Sequence, residues 1–354
     1  FKGSFRPKNY DEEYHGAPSM RRALACSYNI PAVQVAGELG AYKVLETLKK
    51  AGFSSLEKNA DFYGLGLALG NGEVTLLELA NAYRALANGG VWRPMVYALN
   101  PQVKQAGRAQ RFFSEETAFM LTDILSDNNA RAAAFGLNSP LNMPFDFASK
   151  TGTSKDYKDN WAVGYSRRFT VAVWVGNFDA SPMRRISGIT GAAPILRDIA
   201  VFLDGNYSSE KFETNSSFDM PASLAHADIC PVSGKLASKN CAGSVREVFP
   251  ADKLPKEHCA LSLKEHQEDA GAVLGAAEGI IFPADGDIFV SSPSLAAEAQ
   301  QIKFKASEEG FWFIDGQKLP CPRSRECFWP IKSGKHRLKF EGRKTYQVSF
   351  EVLN

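Results

Sequence analysis

The 354-residue chain lacks several features that would direct its reading elsewhere. It contains no C-x-x-C, so the usual spacing of a metal-binding cysteine pair is missing and no metal or other cofactor is expected. No uninterrupted apolar stretch approaches the length of a membrane span, and no signal peptide opens the chain. Charge is nearly balanced: 41 Lys and Arg against 39 Asp and Glu leave a net +2, with no basic run of useful length. That balance gives no reason to invoke nucleic acid. Internal repeats and low-complexity tracts are also absent. What is present is ordinary globular composition, 44% hydrophobic and 23% charged, over a length sufficient for two or three domains. Phe1 is not a natural start, so the chain reads as a fragment or processed piece.

The six cysteines divide into groups. Cys321 and Cys327 flank a turn-rich segment with Pro320 and Pro322, which suits a local disulfide and an oxidising compartment. Cys230, Cys241 and Cys259 allow one bridge and leave one thiol over, with no indication of which pair forms. His226 and His258 stand near two of them, yet the spacing does not match a metal motif. Cys26 has no His partner nearby in sequence and reads as a packed thiol rather than a nucleophile.

Periodicity predicts helices over 19–27, 41–52, 73–90 and 114–128, the last opened by Ser114 with Glu115 and Glu116 in its first turn. Three strands follow, 145–153, 160–166 and 169–177, the last two joined by a tight turn at Ser166-Arg167-Arg168; a helix returns over 191–203. A helical half followed by an antiparallel sheet with a helix over it is an α+β domain. Polar connector and a cysteine-bearing lobe occupy 206–271. From 272 to 354, short strands separated by Gly, Pro and Asp turns predict a small all-β sandwich.

The chemistry concentrates in "ASKTGTSKDY", residues 148–157. Lys150 attracts a substrate carboxylate and perturbs nearby proton equilibria. Thr151 and Thr153 offer hydroxyls to that carboxylate, and Gly152 lets substrate backbone lie against the strand. A surface turn is the competing reading, since Gly, Thr and Ser are common turn residues. Serine acyl-transferases combine K-T-G with S-x-N and S-x-x-K. Two S-x-N triplets precede Lys150: Ser27-Tyr28-Asn29, in a loop between helices, and Ser126-Asp127-Asn128, at the tail of a helix. A third, Ser238-Lys239-Asn240, lies in the cysteine-bearing lobe and is discounted. Composition alone produces about one S-x-N per chain, so each triplet by itself reads better as a cap or loop. The literal S-x-x-K matches, Ser55–Lys58 and Ser208–Lys211, lack the buried helix that a nucleophile requires.

The order "YDEEYHGAPSMRRALACSYNIPAV", "YGLGLALGNGEVTLLELANAYRALANGG" and "KTGTSKDYKDNWAVGYSRRFTVAVWVGN" resembles the transpeptidase domain of class A penicillin-binding proteins, most of all the 1C branch. The tail, with "WFIDGQK" and "WPIKSGKHRLKF", is similar to that branch's C-terminal β-domain. The resemblance implies a penicillin-binding α+β fold over 1–205, without its N-terminal S-x-x-K part, then the lobe and the β-sandwich. It implies Ser27 as proton shuttle, Asn29 on the substrate amide, and Lys150 assisting Ser27. Thr151 and Thr153 would hold the carboxylate, with the Thr153 N–H as half of an oxyanion hole. Ser126 becomes a decoy, and the nucleophile lies outside the chain. Implied partners are peptidoglycan stem peptides, β-lactam antibiotics and a cell-wall or envelope protein. The implied location is the periplasmic side of the bacterial inner membrane, with an anchor upstream. The motifs equally suit a D,D-carboxypeptidase or β-lactamase, and the missing S-x-x-K also suits a non-catalytic cell-wall binding or scaffolding module.

Overall fold

The structure is a computed structural model; it describes residues 7–10, 14–96, 108–136, 139–183, 186–207, 217–241, 243–262, 266, 279–283, 285–290 and 301–353. The chain divides into two compact units, Phe1–Asp269 and Ala270–Asn354. The cysteine-bearing lobe falls within the first.

The first unit opens with helices α1 (Met20–Ala25), α2 (Asn29–Leu39), α3 (Ala41–Lys50) and the single turn α4 (Ala60–Tyr63). Helix α5 (Leu76–Ala87) begins at a capping box: Thr75 Oγ1 accepts from the Glu78 N–H, and Glu78 accepts in return from the Thr75 N–H. Glu78 also accepts from the hydroxyls of Ser54 and Ser55, fastening the loop after α3 to this helix start. Leu45, Phe53, Leu56, Tyr63 and Leu67 close the core between these helices.

A short pairing of β1 (Val91–Trp92) with β2 (Gln110–Arg111) leads to α6 (Glu115–Ser126), capped by Ser114 as its sequence suggests. The chain then turns at once into α7 (Asn128–Phe135), a helix that the apolar periodicity did not reveal. Asp127 is the reason for the break. It leaves the helical region at φ −78°, ψ 97°, and its Oδ1 accepts from the N–H groups of Asn129 and Ala130 at 3.0 and 2.9 Å.

The central sheet orders β3 (Ala148–Thr153), β4 (Asp159–Tyr165) and β5 (Thr170–Gly176), antiparallel throughout. Alternation along the strands sends residues to opposite faces. Ala162, Val171 and Val173 pack against Ala192, Ala193, Leu196 and Ala200 of α8 (Ala192–Tyr207). Ala148 and Tyr165 pack the other way, against Leu125 of α6 and Tyr83 and Leu86 of α5. A two-stranded ribbon, β6 (Leu224–Ile229) with β7 (Val245–Pro250), completes the unit.

Within the described residues the second unit is all β: β8 (Ile280–Phe282), β9 (Ile288–Val290), β10 (Gln301–Ile314), β11 (Gln317–Lys318), β12 (Ser324–Pro330), β13 (Gly334–Glu341) and β14 (Thr345–Leu353). The sequence suggests separate strands at 301–307 and 310–318. They are instead one long strand to Ile314, whose register shifts between Lys305 and Gly310, with Gln317–Lys318 folding back on its end as β11. The irregularity lets β10 pair with β12 and β8 along its first half and with β13 and β11 along its second. Phe304, Trp312, Trp329, Leu338, Phe340 and Phe350 fill the space that the bend encloses.

Cys321 and Cys327 are bridged, with Cα atoms 5.8 Å apart. Closing so short a loop restricts the unfolded chain by about 2 kcal/mol. Replacing both cysteines by serine is expected to lower the unfolding free energy of the second unit by that increment, with the first unit unchanged. Hydrogen exchange of β10 to β14 in the full chain measures it, and equal protection in both forms would contradict the assignment.

Candidate active site

The site begins with how α1 ends. The Ser27 N–H donates to Leu24 O at 3.2 Å and the Tyr28 N–H to Ala23 O at 2.9 Å. This pair of bonds is a Schellman ending, which needs a left-handed residue and ordinarily takes glycine. Here it takes serine, at φ 62°. A side chain in that region costs about 1–2 kcal/mol. The return is placement: the hydroxyl is swung out of the helix towards β3.

Lys150 meets it there. Its Nζ donates to Ser27 Oγ at 2.5 Å and to Thr151 O at 2.9 Å. Lys150 stands opposite Val163 on the face where Ala148 packs, so strand alternation aims it at α1 and α6 rather than at α8. Burial lowers its pKa to about 8, helped by the like charge of Arg131 and countered in part by Cys26. A lysine lowered in this way gives up its proton more readily than a free one and can accept it back.

Arg131, on α7, is a site residue that sequence reading missed. It is buried; Nη1 donates to Ser149 Oγ at 2.8 Å and Nη2 to Leu125 O. Burial holds its own pKa down near 10. Its only sequence signal is one cation amid the alanines of "NNARAAAF". Cys26 is packed as expected, its thiol donating to Ala130 O at 3.3 Å and pushed up in pKa by burial.

The strand offers an open edge. β3 has no partner on its outer side among the described residues. The Ser154 N–H donates to Asp159 O, so in the alternating antiparallel ladder Thr151 and Thr153 turn their N–H and C=O groups outward. Thr153 Oγ1 accepts from the Gly188 N–H at 2.9 Å, which leaves the hydroxyl proton for another acceptor. A Cβ built on Gly152 would make only ordinary contact with Trp161 at 3.5 Å, so nothing in the described protein requires glycine there.

The other candidates make hydrogen bonds elsewhere. Asn29 starts α2, and its amide donates to Lys8 O at 2.8 Å, while its own N–H is capped by Asn9. Ser126 Oγ is turned back to Asp123 O of its own helix. Ser55 is committed to Glu78 rather than to Lys58. Ser208–Lys211 lies outside the described residues. A cavity of about 400 Å³ beside Pro140, Asn142 and Arg197 contains none of these groups.

Comparison with known proteins decides the family. Residues 2–200, more than half of the chain, match the penicillin binding protein transpeptidase domain. The chain belongs to that family. Residues 220–264 match the penicillin-binding protein 1A C-terminal domain, and 268–344 the penicillin-binding protein C-terminus family. Penicillin-binding protein 1C of Escherichia coli K12 is 32% identical over 197 residues, which is 56% of this chain and 24% of that protein. Penicillin-binding protein 1A of Aquifex aeolicus is 32% identical over 283 residues, 76% of this chain and 35% of that protein. The chain therefore spans about a third or less of these relatives' length. The crystal structure of penicillin-binding protein 1A from Haemophilus influenzae superposes with a TM-score of 0.57 at 23% identity, over 72% of this chain and 43% of that one. That likeness is one of fold.

The cysteine expectation needs correction. Cys230, Cys241 and Cys259 are all free; none is paired. They converge with His266 on one point, their ligand atoms within 4.8 Å of one another, where the sequence reading expected no metal site. His226 and His258, nearer in sequence to the first and last of these cysteines, are not part of the cluster; His258 faces Ala237 O.

Two outcomes follow from the Ser27–Lys150 geometry. Ser27→Gly relieves the left-handed strain and should raise stability by about 1 kcal/mol while removing the lysine's partner; an unchanged or lower unfolding midpoint would contradict it. Lys150 should titrate near 8 in NMR spectra of the ε-methylene, and Arg131→Met should move that midpoint upward by removing a like charge. Because the folded state lowers this pKa, the unfolded chain holds the proton more tightly between about pH 8 and 10.5. The Lys150 contribution to stability therefore rises with pH across that window.

Proposed function

We propose that this chain forms the S-x-N and K-T-G sides of a serine acyl-transfer site that cross-links D-alanyl-D-alanine stem peptides of peptidoglycan and is blocked by β-lactams. The observation that carries the reading is the 2.5 Å approach of Lys150 Nζ to Ser27 Oγ beside an open strand edge. Among the described residues no other serine at this pair satisfies the demands of a nucleophile, so the attacking hydroxyl is assigned to a part of the protein outside these residues.

The stem peptide would add to the open edge of β3 as a further strand, main chain to main chain. Its terminal carboxylate would meet the hydroxyls of Thr151 and Thr153 and the charge of Lys150. Attack on the penultimate carbonyl by the serine oxygen, whose proton passes to the lysine of its own S-x-x-K helix, forms the C–O bond and puts negative charge on the carbonyl oxygen, which the outward N–H of Thr153 would receive. As the C–N bond breaks, the departing D-alanine nitrogen takes the Ser27 proton, and Lys150 restores it. The lowered lysine pKa suits this two-way traffic, since a group near neutrality both gives and accepts protons. Attack by an acceptor amine reverses the sequence and forms the cross-link. Asn29 would hold the substrate amide after releasing Lys8 O. A periplasmic location fits the Cys321–Cys327 bridge. No described helix is long and apolar enough to cross a membrane.

The test is covalent labelling by a fluorescent penicillin. The 354-residue chain should not label, whereas a longer protein that carries it together with an S-x-x-K helix should. In that longer protein, Ser27→Ala and Lys150→Ala should each slow acylation by roughly 10²–10⁴-fold. A stoichiometric penicilloyl adduct on any serine of the 354-residue chain would overturn the assignment of roles. Gly152→Ala separates binding from folding. It should leave the unfolding midpoint unchanged or slightly higher, because the strand tolerates the Cβ, yet weaken acylation by crowding the substrate backbone. Loss of stability with unimpaired acylation would contradict the docking edge.

A further inference from the structure

We propose that Cys230, Cys241, Cys259 and His266 form a structural zinc site that holds the ribbon of β6 and β7 together. The geometry of the four groups is the first ground. A tetrahedral zinc with bonds of about 2.3 Å to sulfur and 2.0–2.1 Å to nitrogen spaces its sulfur and nitrogen ligands about 3.5 Å apart. His266 Nε2 lies 3.3 Å from Cys230 Sγ and 3.5 Å from Cys259 Sγ. All four ligand atoms fall within 4.8 Å of one another. A disulfide could use only two of the three sulfurs, and none has formed.

The ring is oriented for ligation. His266 Nδ1 stands 2.8 Å from Ser262 O, which can only accept, so Nδ1 carries the proton and Nε2 presents its lone pair to the sulfurs. Backbone groups support the sulfurs in turn. The Ser233 N–H points at Cys230 Sγ at 3.5 Å, and the Ser238 N–H at Cys241 Sγ at 3.3 Å. Donors directed at sulfur favour thiolate, the form that binds metal. Cys230, Cys259 and His266 are at most 5% exposed and Cys241 is half-buried, and four protein ligands leave no open coordination position. A closed four-ligand set is structural rather than catalytic.

The lobe needs such a staple. Apart from the two buried cysteines, its buried apolar side chains between 217 and 262 are Leu224, Ile229 and Val248 among the described residues. So small a core does not hold a ribbon without a cross-link. Compartment chemistry agrees. The oxidising compartment that a Cys321–Cys327 disulfide indicates would join two of the three adjacent thiols as well unless a metal occupied them. The ribbon also reaches the active site: Glu247 of β7 binds Arg21 of α1, the helix whose end presents Ser27.

Metal analysis of the purified, untagged 354-residue chain tests the proposal. A single zinc ion per chain should survive dialysis, and Cys259→Ser and His266→Ala should each lose it, whereas Cys26→Ser should retain it. Should the ligand variants misfold, the unaltered chain still decides. Reconstitution with cobalt(II) should give the visible bands of a tetrahedral ion with thiolate charge transfer in the near ultraviolet, and stoichiometric zinc should erase them. Absence of stoichiometric metal, a disulfide among Cys230, Cys241 and Cys259, a cobalt spectrum without thiolate bands, or iron in place of zinc would each overturn it.

Discussion

One buried guanidinium ties the first unit together. Arg21 on α1 is 6% exposed and meets three carboxylates: Asp123 of α6, Asp127 at 3.1 Å between α6 and α7, and Glu247 of β7 at 2.9 Å. These partners come from segments more than a hundred residues away. A buried cation is tolerated only when its partners are all in place, so the arrangement is specified jointly or not at all. Removing one partner leaves charge without compensation, which penalises any packing in which α1 shifts. Burial raises the pKa of Glu247, and the nearby Arg21 charge pulls against that rise. Helix α1 is only six residues long, too short to hold its own direction. Its end can deliver Ser27 to a fixed point because Arg21, one residue from its start, is pinned on three sides.

Arg131 and Lys150 show the opposite use of burial. Arg21 is compensated by carboxylates, whereas Arg131 is held chiefly by neutral groups, Leu125 O and Ser149 Oγ. Its charge is therefore available to act on Lys150. The pair is uneven by chemistry. A guanidinium delocalises its charge and keeps its proton even when burial lowers its pKa, whereas an ammonium releases its proton far more readily. Desolvation shared between two cations thus falls on the lysine, and the lysine becomes the group that titrates near neutrality. The carbonyls at the end of α6 favour the guanidinium there, as helix C-termini favour cations generally.

The legibility of these features followed how local they are. Ser114, Glu115 and Glu116 announced α6 because a cap is a property of consecutive residues. K-T-G could be placed on a strand for the same reason, and the Cys321–Cys327 bridge spans only six residues. Choosing Ser27 over Ser126 rested on resemblance and on loop position. The physical distinction, a left-handed residue that ends one helix against a residue bonded back to its own helix, lies in backbone angles. Helix α7 was hidden because Asp127 interrupts the period and "NNARAAAF" is too weakly amphipathic to restart it. The sulfur cluster was the least legible. Its spacings follow no short motif, and a ribbon, a loop and a turn far along the chain bring the four groups together.

The open edge proposed to accept a peptide is also an edge that could accept another copy of the chain, and β3 carries features that separate the two. It is six residues long, and its pattern ASKTGT gives no continuous apolar face. Lys150 points inward from it, bonded to Ser27 Oγ and Thr151 O, and an inward charge is a known deterrent to edge-to-edge pairing. Under the proposed function, a ligand that carries its own carboxylate would add a charged partner that an uncharged strand cannot. The same lysine would therefore favour an acidic peptide terminus over an uncharged strand. Selectivity of this kind needs no additional residue: it follows from placing a partly neutral, desolvated ammonium at an edge whose outward N–H groups would otherwise pair with any extended chain.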